Sequence, residues 1–147
     1  MTGGDIDASV EFRPNTLQIL DEATCWRLVA AADIGRVGFV VDEKPLVLPV
    51  THLVDDNSVV FRTAEGSKLQ AAVLRRPVVF EVDSWNSADR SGWSVVIHGV
   101  ATLVTAPARI NHLNALGLEP YADEVARDRW IRIRTEEISG RAAAPKS

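Results

Sequence analysis

The sequence predicts a mainly β protein with short helices, arranged as a small antiparallel barrel of six strands. Three observations lead there. Valine occupies 19 of the 147 positions, most of them crowded between Val37 and Val104, and such β-branched density favours sheet in the middle of the chain. Apolar and polar residues alternate over short runs, as in Trp130-Ile131-Arg132-Ile133-Arg134. Those runs succeed one another at close spacing, parted by tight polar turns such as Asp42-Glu43-Lys44 and Asp55-Asp56-Asn57.

Each element follows from local signals. Residues 1–15 mix Gly, Asp, Thr and Pro with no period and read as a flexible N-terminal arm, so the domain is expected over 16–140. The small, polar and basic residues 141–147 read as a flexible tail. A first helix is expected over 21–33, because Asp21 is a good N-cap, Glu22 suits the first turn, and Leu20, Ala23, Trp26, Leu28, Val29 and Ala32 recur at helical spacing until Gly35. Ile34–Asp42, Pro45–Val54 and Ser58–Ala64 follow as three strands of an antiparallel meander. Alternation puts Val37, Phe39 and Val41 on one face of the first, and Leu46, Leu48, Val50 and His52 on one face of the second. Gly66 and Ser67 open a short helix over Lys68–Arg75 with Leu69, Ala72, Val73 and Leu74 in one stripe, and Pro77 ends it. Val78–Asp83 is a fourth strand, Ser84–Gly92 a polar loop, and Trp93–Thr105 a long fifth strand that Gly99 bends or bulges. Pro107 suits the first position of a helix over 108–116 that stops at Gly117. Trp130–Arg134, the sixth strand, is short enough for an edge or barrel-closing position.

A chain of this length buries roughly 70% of its unfolded surface and needs no staple. Its single cysteine, Cys25, excludes an internal disulfide, and with only three histidines there is no finger- or ribbon-type zinc site, so no metal is expected. The net charge of −4 argues against wholesale binding to a nucleic-acid backbone. No run reaches the roughly 18 apolar residues of a membrane span. Asp5, Asp7 and Glu11 stand where an apolar leader would lie, and the expectation is a soluble cytoplasmic protein.

No catalytic constellation stands out. Ser94 and His98 share a strand face but lie about 13 Å apart, too far for a nucleophile and its base. Glu81 and Asp83 share another, where a solvent-facing pair is the commoner arrangement. The strongest local signal is Phe61-Arg62-Thr63-Ala64-Glu65-Gly66-Ser67-Lys68-Leu69. A strand ends in Arg62 and Thr63, Gly66 permits a sharp turn, and Ser67 and Lys68 open a helix. Two cations, two hydroxyls and free helix N–H groups can thus converge on a phosphate monoester. The competing reading is a solvated turn whose cations keep an acidic protein soluble. Trp85, Trp93 and Trp130 sit at strand ends or loops, where tryptophan covers a flat ligand or a dimer contact, or simply packs in a core. Pro49, inside Leu48-Pro49-Val50-Thr51-His52, implies an edge or a bulge with unpaired backbone groups.

In this order these signals resemble the pyridoxamine 5′-phosphate oxidase-like flavoproteins, the FMN-binding split barrels. The resemblance runs from about Leu17 to Gly140, through Ile34-Gly35-Arg36-Val37, Pro49-Val50, Phe61-Arg62-Thr63 with Gly66-Ser67-Lys68-Leu69, Phe80-Glu81-Val82-Asp83, and Gly92-Trp93-Ser94-Val95 with Gly99 and Ala101. It implies a six-stranded split barrel and a homodimer with flavin sites at the interface. Pro49, Val50 and Thr51 would line the isoalloxazine through backbone groups, and Arg62, Thr63, Ser67 and Lys68 would hold the ribityl phosphate. Trp93 and Ser94 would reach the flavin from the partner subunit, and Trp130 would flank the pocket. The implied activity is an FMN-dependent oxidation or reduction of a small molecule, with the chemistry carried by the cofactor. Lacking the arginine- and histidine-bearing strand of true pyridoxamine phosphate oxidases, the chain resembles the generic branch. Two alternatives stay open on the same fold: a deazaflavin-dependent reductase, with Arg36, Lys44, Arg75 and Arg76 for a longer anionic tail, and a non-catalytic flavin- or haem-binding protein.

Overall fold

A computed structural model describes residues 17–63, 68–119 and 129–145, with backbone alone at positions 68 and 72. Its strands are β1 (Leu17–Leu20), β2 (Ile34–Val41), β3 (Lys44–Thr51), β4 (Leu53–Val54), β5 (Val59–Thr63), β6 (Pro77–Asn86), β7 (Ser91–Leu103) and β8 (Arg129–Ala143). Three helices, α1 (Glu22–Ala31), α2 (Lys68–Val73) and α3 (Pro107–Ala115), pack around them. The Asp21 carboxylate caps α1 by accepting from the Thr24 N–H at 2.7 Å. Asp42 and Glu43, both at positive φ, close the β2–β3 hairpin in the geometry that matches strand twist.

All strands join one antiparallel sheet in the order β3-β2-β6-β7-β8-β5-β4, with β1 added beside β8. The sheet curls, so that β3, at one end of the order, comes against β5 near the other. The corner lies at His52. Up to Thr51 the chain pairs with β2, and from Leu53 it pairs with β5, Leu53 standing opposite Val60. Between β7 and β8 the register slips at His98/Gly99, the expected bulge, where a Cβ on Gly99 would stand 2.3 Å from the Arg134 carbonyl oxygen.

The inner face holds the main core, with Val37, Phe39, Val50, Phe61, Phe80, Ile97, Ile131 and Ile133 packed under Cys25, Leu28 and Val29 of α1. A smaller cluster of Val60, Leu113 and Trp130 fills the space beneath α3.

Several expectations change. Among the described residues the strands number eight, not six, because Leu17–Leu20 pairs with β8 and the second predicted strand breaks at His52. The meander of the three middle strands is interrupted at His52: the first part of the second predicted strand pairs with β2, only Leu53 and Val54 pair with β5, and β5 pairs mainly with β8. The sixth strand is neither short nor an edge. It runs 15 residues, with β7 along one side and β5 and β1 end to end along the other. The proposed flexible tail therefore does not begin at Arg141, since β8 continues to Ala143 and Ala142 and Ala144 are buried. The polar loop over 84–92 shrinks to a four-residue turn, because Ser84–Asn86 pairs with Ser91–Trp93. Leu46 and Leu48 stay partly exposed, because β3 borders the opening of the curled sheet. Residues 1–15 lie outside the described residues.

Candidate functional site

The corner at His52 brings two of the predicted groups together. Continuing the β4–β5 register past His52 carries Thr51 towards Arg62, and β3 touches β5 there. His52 pins the corner. Its ring is buried, edge-on to Phe80 at 4.9 Å, and its Nε2 donates to the Val29 carbonyl oxygen at 2.8 Å. Burial holds the imidazole below its ordinary pKa, so the ring is neutral, with Nδ1 a buried acceptor that has no partner among the described residues. Pro49 is exposed opposite Arg36, Val50 is buried opposite Gly35, and the Thr51 hydroxyl donates to the Glu119 carbonyl oxygen at 2.5 Å. That leaves the Thr51 backbone, not its hydroxyl, for a ligand.

At the end of β5, Arg62 and Thr63 project to opposite faces, as strand alternation requires. Arg62 lies over the Trp130 ring, its Cζ 5.2 Å from the centroid, and its Nε is buried with no hydrogen-bond partner among the described residues. Thr63 is fully buried, and its Oγ1 is likewise unpartnered. A buried donor without a partner costs about 1–3 kcal/mol. The last two residues of β5 thus each carry one, on opposite faces of the strand, just ahead of α2. Ser67 lies outside the described residues. Lys68 is the first residue of α2, with its side chain outside them too.

The remaining predicted residues stand elsewhere. Ser94 is half-buried on the outer face between Asp83 and Arg141, three strands and so about 14 Å across the sheet from Pro49. Trp93, third residue of β7, points inward and packs in the main core, with its Nε1 buried and without a partner among the described residues. Trp130 is buried beneath α3 and under the Arg62 guanidinium, and its Nε1 donates to Asn114 Oδ1 at 2.8 Å. The tryptophan that does face outward near Ser94 is Trp85, 62% exposed. Its parity with Glu81 and Asp83 on β6 was the signal that could have singled it out.

Beside Ser94, the Arg36 guanidinium contacts both Glu81 Oε1 and Asp83 Oδ2 at 3.1 Å. Burial pushes the Glu81 carboxyl up to about 7, helped by the Asp83 carboxyl and opposed by Arg36. Under α3, Asp55 accepts from Arg132 Nη2 at 2.6 Å, with Arg109 at 3.4 Å and His112 at 3.7 Å. Burial pushes its carboxyl up, but the Arg132 hydrogen bond and the surrounding cations hold it below the usual carboxylate range. Among the described residues no three metal-ligating side chains cluster, and no helix is long and apolar enough to cross a membrane.

Comparison with known proteins adds to this geometry. A family model described as pyridoxamine 5′-phosphate oxidase matches residues 21–142. An uncharacterized protein of Mycobacterium tuberculosis is 36% identical over 126 residues, covering 82% of each chain. The structure of an FAD binding protein from Mycobacterium smegmatis is 30% identical, with a TM-score of 0.69 over 88% of this chain and 100% of that one. A conserved protein of unknown function from Corynebacterium diphtheriae superimposes with a TM-score of 0.71 at 29% identity, covering 87% and 98%.

Proposed function

The chain belongs to the pyridoxamine 5′-phosphate oxidase family, and we propose that within it this protein is a flavin-binding oxidoreductase that takes FMN and acts on a small molecule. The observation that carries the reading is the pair of unpartnered donors, Thr63 Oγ1 and Arg62 Nε, at the end of β5. The FAD-binding relative from Mycobacterium smegmatis supports it, because FMN and FAD share the isoalloxazine, the ribityl chain and its phosphate. Arg62 and Thr63, with Ser67 and Lys68 following, would hold that phosphate. The backbone of Pro49, Val50 and Thr51 would receive the ring. When bound, the flavin supplies the electron-transfer chemistry. The chain's own part is to anchor the phosphate, hold the ring at the β3 corner, and exclude water with the apolar edge of β3.

A second copy of the chain completes the site in this reading. Support comes from the outer sheet face, where Val40 is 54% and Val47 64% exposed near the start of β6 and Trp85 is exposed near its end, beside Ser94. Ser94 and Trp85 would then approach the flavin from the partner, Trp93 backing them from within the core. A reducing, cytoplasmic setting suits the lone cysteine, which is buried and unpaired.

Titration of the purified protein with FMN, FAD, a deazaflavin nucleotide and haem, followed by melting temperature and visible absorbance, tests the reading. The expected result is a rise in melting temperature with FMN and a dimeric mass in solution. A rise with deazaflavin alone would transfer the protein to the deazaflavin-dependent reductases. No rise with any flavin refutes the function, and a monomeric mass refutes the shared site.

A further inference from the structure

A groove of about 520 Å³ opens on the outer face of β7 and β8, where Arg109, Arg132 and Arg134 meet Asp56, Thr135 and the start of α3 at Ala106. It is separate from the corner described above. Arg134 stands four residues along β8 from Trp130, the register partner of Arg62, which is about 13 Å.

Two features point to an anionic occupant. In a chain of net charge −4, three guanidinium groups converge here. Asp55 engages Arg132 and, more loosely, Arg109, and Asp56 adds one carboxylate to the lining. Arg134 is exposed and has no ion pair or hydrogen bond among the described residues. Next, α3, a nine-residue helix, begins at the groove with Pro107 in its first turn and with neither a side-chain cap nor an acidic first-turn residue at its positive end. Thr135 adds nothing to this, because strand alternation turns it inward with Ile133, opposite Gly99, and its buried Oγ1 lies on the core side of β8. An oxygen-rich anion satisfies both at once: a planar guanidinium fork and helix N–H groups are complementary to phosphate oxygens. The volume is that of a small-molecule site.

We propose that this groove binds the phosphate group of a small phosphorylated molecule, with Arg134 and the start of α3 as its principal contacts. The test is a chemical-shift titration of the full chain, isotopically labelled, with inorganic phosphate and with glycerol 3-phosphate at constant ionic strength, and with acetate as the carboxylate control. Saturable shifts are expected at the amides of residues 102–109 and 131–135. Arg134→Ala is expected to weaken this binding by about tenfold or more, the loss of one charge-assisted hydrogen bond. Arg62→Ala should leave it within about twofold, being too distant to couple. Because Arg134 is exposed, the amide spectrum of its alanine variant will match the wild type away from the groove. The proposal is overturned by an absence of saturable shifts there, by Arg134→Ala binding as tightly as the wild type, by an equal loss in Arg62→Ala, or by acetate binding as well as phosphate.

Discussion

Replacing Thr63 by valine separates a ligand-binding hydroxyl from a structural one, because the two roles predict opposite signs. Thr63 is fully buried at the last position of β5, and its Oγ1 has no hydrogen-bond partner among the described residues. Valine keeps the shape and exchanges the hydroxyl for a methyl. In the ligand-free protein this removes a desolvation penalty of about 1–3 kcal/mol. For a chain of this size each kilocalorie corresponds to about 2–4 °C of melting temperature, so the free variant should melt several degrees above the wild type. Flavin binding should move the other way. Losing a hydrogen bond to a charged phosphate costs about 1.5–3 kcal/mol, a rise in Kd of about ten- to a hundredfold. Differential scanning calorimetry of the free protein and fluorescence titration with FMN measure the two numbers independently. A variant that melts lower than the wild type and binds FMN equally well would show that the hydroxyl serves the fold, and the phosphate assignment of Thr63 would fail.

Other perturbations probe the rest of the structure. Arg62→Ala combined with Lys68→Ala should weaken FMN binding by several kcal/mol in a fluorescence titration, and unchanged affinity would remove the phosphate site altogether. A Cβ on Gly35 would stand 2.1 Å from Phe80 Cζ, against the ring that packs on His52, so Gly35→Ala should cost about 1–3 kcal/mol in urea denaturation. Gly38→Ala, whose nearest neighbour would be 3.8 Å away, should leave the fold unchanged. Arg132→Ala strips Asp55 of its 2.6 Å partner and leaves a buried carboxylate facing Arg109 and His112 at longer range, a loss of about 3 kcal/mol by denaturant titration. Glu81, with its folded pKa raised to about 7 from 4.5, binds more protons folded than unfolded between those values, so its contribution is full below pH 4.5 and is lost as the pH rises through 7. After discounting for solvent screening this slope amounts to roughly 1 kcal/mol, and Glu81→Gln should flatten it in melting curves recorded from pH 4 to 9.

Much of the fold is legible in local pattern. The cap at Asp21, the hairpin turn at Asp42-Glu43, the bulge at Gly99 and the inward set Val37 and Phe39 all follow from residue type and short spacing. Strand partners are not legible in the same way. Ile131 and Ile133 alternate as they would at an edge, yet β8 is the most connected strand, because its second half, Thr135–Ala143, is polar outward and small inward and carries little apolar signal. Small inward residues such as Gly140 and Ala142 are what a strand beneath α1 requires, with a Cβ at Gly140 only 2.7 Å from Cys25 Sγ. The site shows the same division. Arg62 and Thr63 are adjacent letters, and only the strand they end in sends one over Trp130 and the other into the interior.

What the sequence determined by itself is the inventory: β-branched strands, a short leading helix, one strand end rich in cations and hydroxyls, and few reactive side chains. These depend on intervals of two to four residues, which the chain carries wherever it goes. Tertiary structure decided which strand lies beside which, and with it the corner at His52, the burial of Trp93 and Trp130, the outward turn of Trp85, and the gathering of Arg109, Arg132 and Arg134 from α3 and β8 around one groove. Alternation fixes only that one face differs from the other. Which face meets the core, and which residue meets a neighbour many positions away, is set by register across the whole curled sheet.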